Sequence, residues 1–240
     1  MNHKLLFIDT EATGNDTDKD RLMQVAYAVN DGEIRVGLFK PPLPISVKSM
    51  SITHITNKMV EKAPPFAGSA LAQDLARLLS DHIFIAHNAL FDKAIIEAEG
   101  IAVPKFICTM RVARHLDGEA MIPEHNLQFL RYYLDLDIAD ANAHSADGDV
   151  KVLRALFNRQ LIKMIENEGS EEAAIDKMME VSSRPTLIKK INFGKYRGQT
   201  FEEVAKTDRG YLEWLWQQKT NDGVDPETDD VMFTVRSYLN

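Results

Sequence analysis

Apolar residues recur along this chain with two different periods. Near the start they come in runs that suit strands: Lys4 to Asp9, then Arg21 to Val29 with Leu22, Val25, Tyr27 and Val29. Asp31-Gly32 is a hairpin signal leading into a third strand, Glu33 to Lys40, so the chain opens as an antiparallel meander. Pro41, Pro42 and Pro44 make Lys40 to Met50 a loop. The helical period then takes over. Ser69 to Leu79 places Leu71, Leu75, Leu78 and Leu79 on one face. Short extended runs at Ile83–Ala86 and Phe106–Cys108 alternate with helices at Phe91–Glu99, Met110–Leu116 and Leu127–Tyr133. Strands followed by this alternation predict an α/β fold, a mixed sheet covered by helices.

Asp149 to Ile165 carries Val150, Leu153, Phe157, Leu161 and Met164 on one stripe and closes a first domain spanning 1–166. Ser170 caps a polar helix within a linker, 167–185. Residues 186–240 read as a small α+β module. It contains a turn-rich hairpin at Phe193–Gly198, a capping box of Thr200 with Glu203, and a last helix opened by Asp225-Pro226 with Val231, Val235 and Leu239 on one stripe. Trp214 and Trp216 cannot both face the core side of one helix, so one of them is expected at the surface.

Composition narrows the class. With 45% hydrophobic and 27% charged residues, the 240-residue chain suits a packed globular protein rather than a disordered or disulfide-stapled one. The single cysteine, Cys108, cannot form an internal disulfide and reads as a buried small hydrophobe. No apolar run approaches the ~18 residues of a membrane span, and Asp9 interrupts the short run Leu5–Ile8, so a cytoplasmic protein is expected. The formal charge of -8 argues against a phosphate-binding surface in general. Its distribution argues otherwise: Arg184, Lys189, Lys190, Lys195 and Arg197 fall between positions 184 and 200 with no acidic residue, and Phe193 and Tyr196 lie among them. Lys195, Tyr196 and Arg197 are therefore candidate nucleic-acid contacts, against the plainer reading of a solvated hairpin.

Candidate chemistry lies in three short motifs. Asp9 and Glu11 stand two apart at a strand end and share one face. His87-Asn88-Ala89-Leu90-Phe91-Asp92 sits where a strand turns into a helix, with Asp92 near the helix start. His144 precedes Asp149 by five positions, just before the long amphipathic helix; Asp147 competes with Asp149, and the spacing favours Asp149. Singly, these are a solvated strand end, a helix cap and a loop histidine. In this order they resemble the DEDDh family of 3′-to-5′ exonucleases.

That resemblance implies a ribonuclease H-like fold, a mixed five-stranded sheet flanked by helices. It implies that Asp9, Glu11, Asp92 and Asp149 hold two divalent metal ions, Mg²⁺ or Mn²⁺, with Glu11 and His144 as catalytic residues. Hard cations take oxygen ligands, and a pair of them can stabilise the attacking and leaving oxygens of a displacement at phosphorus. His144 would be the general base toward the attacking water, and the product a 5′ mononucleotide. The His-x4-Asp spacing, without the tyrosine of the sister subclass, points to the histidine form of the mechanism.

The segment Ser49–Thr56 resembles the family's wall for the terminal nucleotide, with His54 and Ile55 in contact, Ile55 as an apolar wedge, and Asn88 and Phe91 opposite. Backbone groups at Thr10 and Ala12 would meet the 3′ end. Gln24 stands where a common family pattern has glutamate, a departure outside the ligand set. The run Ile107–Arg114, with Phe193–Gly198 and Tyr211–Leu215, narrows the resemblance to a bacterial branch associated with DNA repair. The implied partner is DNA with a free 3′ end, single-stranded or duplex, with RNA as the alternative substrate. The family also allows a homodimer, and nothing implies a membrane. The alternative of a non-catalytic nucleic-acid-binding or polymerase-associated subunit would have no use for so many clustered carboxylates.

Overall fold

The computed structural model describes residues 3–136, 138 and 146–240. Five strands form one sheet in the order β3-β2-β1-β4-β5: β1 (Leu5–Ala12), β2 (Leu22–Val29), β3 (Arg35–Leu38), β4 (Ile83–Ala86) and β5 (Phe106–Cys108). β1 pairs antiparallel with β2, which pairs antiparallel with β3; β4 and β5 continue parallel from the other edge of β1. This is the mixed five-stranded sheet the sequence implied.

Helices cover both faces. Between β3 and β4 lie α1 (Val47–Thr53), α2 (Asn57–Val60) and α3 (Ala70–Leu79), and α4 (Ala89–Ala98) joins β4 to β5. After β5 come α5 (Thr109–Leu116), α6 (Leu127–Tyr133), α7 (Ala146–Glu168) and α8 (Glu171–Ser183). Alternation along β1 sets up the two cores. Leu6, Ile8 and Ala12 pack with Leu75, Leu79, Ile95 and Ile96 of α3 and α4. Leu5 and Phe7 pack on the other face with Val150, Leu153 and Phe157 of α7. Phe7 and Phe157 meet edge to face at 5.3 Å; full burial of such a ring stabilises by roughly 1.5–3 kcal/mol.

Segment 167–185, expected as a linker, is built into this body. Ala174, Ile175 and Met178 of α8 are buried in the α7 core, and Ser182 Oγ accepts from the backbone N–H of Cys108 at 2.7 Å. The apolar stripe of α8 is short and interrupted by acidic residues, which is why its packing is hard to read from sequence. Ser46 caps α1, so helix begins before the loop expected to reach Met50 has ended.

The C-terminal module has its own core of Ile191, Phe201, Val204, Leu212, Leu215 and Val235. These come from the entering segment and from α9 (Phe201–Thr207), α10 (Arg209–Asn221) and α11 (Asp230–Leu239). The expected capping box of Thr200 and Glu203 is present. The hairpin around Phe193–Gly198 is reduced to one bridge, Lys190 with Thr200, closed by a single 3-10 turn. Asp229 caps the last helix by accepting from Met232 N–H. Asp225-Pro226, expected to open that helix, instead closes one isolated turn, with Asp229 N–H bonded back to Asp225 O at 2.9 Å. Trp214 is 54% exposed, whereas Trp216 packs on the module core.

Candidate active site

The expected carboxylates meet where β1 and β4 end. Asp9 and Glu11 lie on the face of β1 that α7 covers, both half-buried. Asp149, in the first turn of α7, is buried, while Asp147 is half-buried. Asp92 arrives from the opposite face. The chain leaves β4 at Ala86 and enters α4 at Ala89, with Asn88 in the left-handed conformation (φ 59°) to make so tight a turn. One helical turn on, Asp92 is buried and accepts hydrogen bonds from Thr10 N–H at 3.0 Å and Thr10 Oγ1 at 2.7 Å. Thr10 lies between Asp9 and Glu11 and reaches the other face, so one strand segment organises carboxylates on both sides of the sheet.

Proximity and burial leave their mark on the acidities. Burial, then the charges of Asp92, Glu11 and Asp149, hold the Asp9 carboxyl well above the usual range. Glu11 is raised to about 7 by burial, then by Asp149 and Asp92. Asp92 is also raised to about 7, by burial, against the lowering effect of its two bonds from Thr10. A site that makes its acids reluctant to ionise favours a cation among them.

The donor set is oxygen only, and among the described residues no Lys, Arg or His forms an ion pair with Asp9, Glu11 or Asp92. No three acidic, histidine or cysteine side chains among the described residues close round one point as a preformed cage. That arrangement suits magnesium-type ions, which are held through one or two carboxylates and complete their shells with water and phosphate oxygens. The residues therefore fit divalent ions of this class.

Around the carboxylates, Phe91 is half-buried against the α3–α4 core, and His54 is exposed in the left-handed conformation that ends α1. Ile55 is buried with Met23, Ile45 and Val60, which removes it from the role of exposed wedge. Ile52, which sequence reasoning passed over, is 49% exposed on α1. That helix is tied to the end of β1, where Ser49 Oγ donates to Ala12 O at 2.6 Å. Of the backbone groups at Thr10 and Ala12 expected to meet the substrate, Thr10 N–H and Ala12 C=O are thus engaged inside the protein. Gln24 sits directly across from Glu11 in the β1–β2 pair. His144 lies outside the described residues.

The basic run of the C-terminal module is also engaged. Lys195 pairs with Asp208 at 3.0 Å and Arg197 with Glu124, while Lys189 and Lys190 donate to the carbonyls of Gly118 and Ala120. Tyr196 is half-buried, with its hydroxyl on Asp208. The positive charge that reads as a free strip in sequence meets an acid or a carbonyl at each of these positions.

Two further residues stand beside these, Gln128, which the sequence did not single out, and His87, which opens the Asn88–Asp92 motif. Gln128 of α6 donates Nε2–H to Asp149 Oδ1 at 2.5 Å. His87 is half-buried and held neutral, its pKa lowered to about 4 by desolvation; Nε2 bonds the carbonyl of His125 at 2.7 Å and Nδ1 meets Thr109 Oγ1 at 2.9 Å.

Comparison with known proteins matches residues 6–157 to a family described as exonuclease. The chain belongs to the exonuclease family. A second match, described as exodeoxyribonuclease X-like C-terminal, spans residues 191–219. Among relatives, the exonuclease is 29% identical over 98% of both chains to exodeoxyribonuclease 10 of Escherichia coli K12. It is 25% identical to the DNA polymerase III epsilon subunit of Treponema pallidum, over 67% of this chain and 78% of that one. In fold it resembles an exonuclease X solved in complex with 5′ overhanging duplex DNA: TM-score 0.57 and 22% identity, over 74% of this chain and 98% of that one. It also resembles E. coli exonuclease I in complex with a dT13 oligonucleotide, with TM-score 0.56 and 21% identity over 68% of this chain and 41% of that one.

Proposed function

We propose that this exonuclease hydrolyses the terminal phosphodiester bond at DNA 3′ ends, releasing 5′ mononucleotides, and that it serves DNA repair in the cytoplasm. The observation that carries the reading is the convergence of Asp9, Glu11, Asp92 and Asp149 from β1, α4 and α7, with the pKa values of Asp9 and Glu11 raised by burial and by neighbouring carboxylates and that of Asp92 raised by burial. The full-length kinship with exodeoxyribonuclease 10 supports DNA as substrate.

In this reading the four carboxylates hold two Mg²⁺ or Mn²⁺ ions, which when bound supply Lewis-acid stabilisation of the negative charge developing at phosphorus. Thr10 keeps Asp92 oriented through two hydrogen bonds. The exposed face of α1, with Ile52 and His54, borders the terminal nucleotide, and Asn88 and Phe91 face it from the start of α4. His144 takes the proton of the attacking water. No helix among the described residues is long and apolar enough to cross a membrane.

The module's own contact with DNA is placed at Trp214 rather than at Lys195 and Arg197. Trp214 is exposed and stacks on Tyr211 at 5.6 Å, with Lys195 Nζ 5.2 Å from the Tyr211 ring centre, a platform open to a base.

The test is digestion of 5′-labelled and 3′-labelled single-stranded DNA, duplex DNA and RNA with and without Mg²⁺, beside Asp9→Ala. Stepwise shortening of DNA from its 3′ end, lost without Mg²⁺ and in the variant, is the expected result. A preference for RNA would transfer the enzyme to RNA trimming, and no cleavage of any substrate would overturn the reading.

A further inference from the structure

The hydrogen bond between Gln128 and Asp149 connects the metal site to the C-terminal module. Gln128 is half-buried, and its Oε1 is buried without a partner among the described residues. Leaving a buried amide oxygen unpaired is unfavourable by roughly 1–3 kcal/mol, so the side chain is held in this pose by what its other end does. That end donates to Asp149 Oδ1, which fixes the orientation of the carboxylate.

Gln128 sits in the first turn of α6, and α6 begins directly after the loop 117–126. Asp117 folds this loop by accepting from Met121 N–H at 2.8 Å and Ile122 N–H at 3.1 Å. The module then grips it from outside: Lys190 Nζ on Ala120 O at 2.9 Å, Lys189 Nζ on Gly118 O, and Arg197 on Glu124. Glu124 in turn accepts from Asn126 Nδ2 at 3.0 Å, and Asn126 is the residue that caps α6. The same loop reaches the other side of the site, because the His125 carbonyl holds His87 next to Asn88 and the start of α4.

We propose that Gln128 is a positioning residue for Asp149, and that the C-terminal module, through Lys190 and Arg197 on the 118–124 loop, holds Gln128 in place and so tunes the affinity of the site for divalent cations. The inference rests on the metal-dependent reading given above. It assigns the basic run of the module a role inside the protein, as a brace for one wall of the active site.

The experiment is calorimetric titration of the full chain with Mn²⁺, well below its melting temperature, with kcat at saturating Mn²⁺ measured alongside. Gln128→Met keeps the length and removes the donor; outer-sphere partners of this kind change metal affinity by about 10- to 100-fold, and a loss in that range is expected. Lys190→Met with Arg197→Met should weaken Mn²⁺ binding in the same direction by roughly 2- to 30-fold, and the swap Arg197→Glu with Glu124→Arg should recover part of what Arg197→Glu alone loses. A role confined to folding would lower the melting temperature and leave the Mn²⁺ affinity of the folded chain where it was. Unchanged affinity in Gln128→Met overturns the positioning role; a weakened Gln128→Met beside an unaffected double variant overturns the brace. A wild-type chain that binds no Mn²⁺ would instead sink the metal-dependent reading itself.

Discussion

Arg111 and Asp230 are 119 positions apart in the chain and 2.9 Å apart in the fold, both buried. The guanidinium also donates to Ser182 O at 2.7 Å and to Thr228 O, and Asp230 accepts from Arg114 and from Thr186 N–H at 3.0 Å. One ionic network thus joins α5, the end of α8 and the start of α11. Taking Arg111 out of this network leaves Asp230 buried with Arg114 alone to balance it, and leaves the carbonyls of Ser182 and Thr228 without this donor.

Arg111→Met is therefore expected to destabilise the whole chain by about 3–5 kcal/mol. At roughly 2–4 °C per kcal/mol for a chain of this size, the melting temperature should fall by about 6–20 °C. Arg114→Met, which removes the partner of the other Asp230 oxygen, should destabilise in the same direction. Thermal melts of both variants decide the matter: an unchanged melting temperature in Arg111→Met would show that the network does not hold the module.

The fold was legible in the sequence because its signals are local. The apolar runs of β1 and β2 declare buried strands, and the stripe Val150, Leu153, Phe157, Leu161 a buried helix face, without reference to the rest of the chain. The carboxylates were legible because Asp9, Glu11, Asp92 and Asp149 each sit at an element boundary that the pattern marks. What could not be read was pairing across long separations. Lys189, Lys190 and Arg197 look free until Gly118, Ala120 and Glu124 are seen opposite them. Ile55 and Ile52 are equally apolar, and only the helix that carries them decides which is buried. Arg111 stands in a run the sequence singled out, but its partner belongs to another domain.

Thr10→Val tests the scaffold of Asp92. Valine keeps the shape and removes the hydroxyl donor, while the backbone N–H bond to Asp92 at 3.0 Å stays. A hydrogen bond to a charged acceptor contributes about 1.5–3 kcal/mol, so Asp92 should become harder to ionise and Mg²⁺-dependent turnover should fall by roughly 10- to 100-fold. Full activity at low Mg²⁺ would mean that Thr10 contributes only packing.

The raised pKa values of Glu11 and Asp92 predict how pH acts on the metal-free protein. Both titrate at about 7 in the fold, against 4.5 and 3.8 in the open chain. Between those limits the folded state keeps protons that the unfolded state has released, so this contribution lowers stability as pH rises from about 4 to about 7 and is constant above. His87, at about 4 against 6.5, acts in the opposite sense and loses stability as pH falls below 6.5. Comparing wild type with Glu11→Gln separates the two, since only the carboxyl contribution is removed. In chelator, the variant should gain on wild type as pH rises from 5 to 8, and Mg²⁺ should restore wild type most at pH 8. Parallel melting profiles would refute the shift.

Trp214→Ala addresses DNA at a distance from the chemistry. Stacking of a base on an aromatic side chain contributes about 1–3 kcal/mol by such substitutions. The exposed indole contributes little to the module core, so folding should be preserved while affinity for a single-stranded oligonucleotide longer than the active site needs falls by roughly 5- to 100-fold. A dinucleotide substrate should be handled as before. Equal loss on short and long substrates would place Trp214 outside the DNA path.

His144 completes the proposed chemistry. An imidazole with an ordinary pKa near ~6.5 can accept a proton at neutral pH and release it again, which none of the carboxylates committed to cations can do as freely. His144→Ala should therefore lower kcat by at least ~100-fold while leaving Mn²⁺ affinity and oligonucleotide binding close to wild type. Its pH–rate profile should also lose the acidic limb that the histidine imposes, and added imidazole should restore part of the rate. A variant that turns over near the wild-type rate, or one that fails only because it no longer binds Mn²⁺, removes the general base from this residue and returns the role to water.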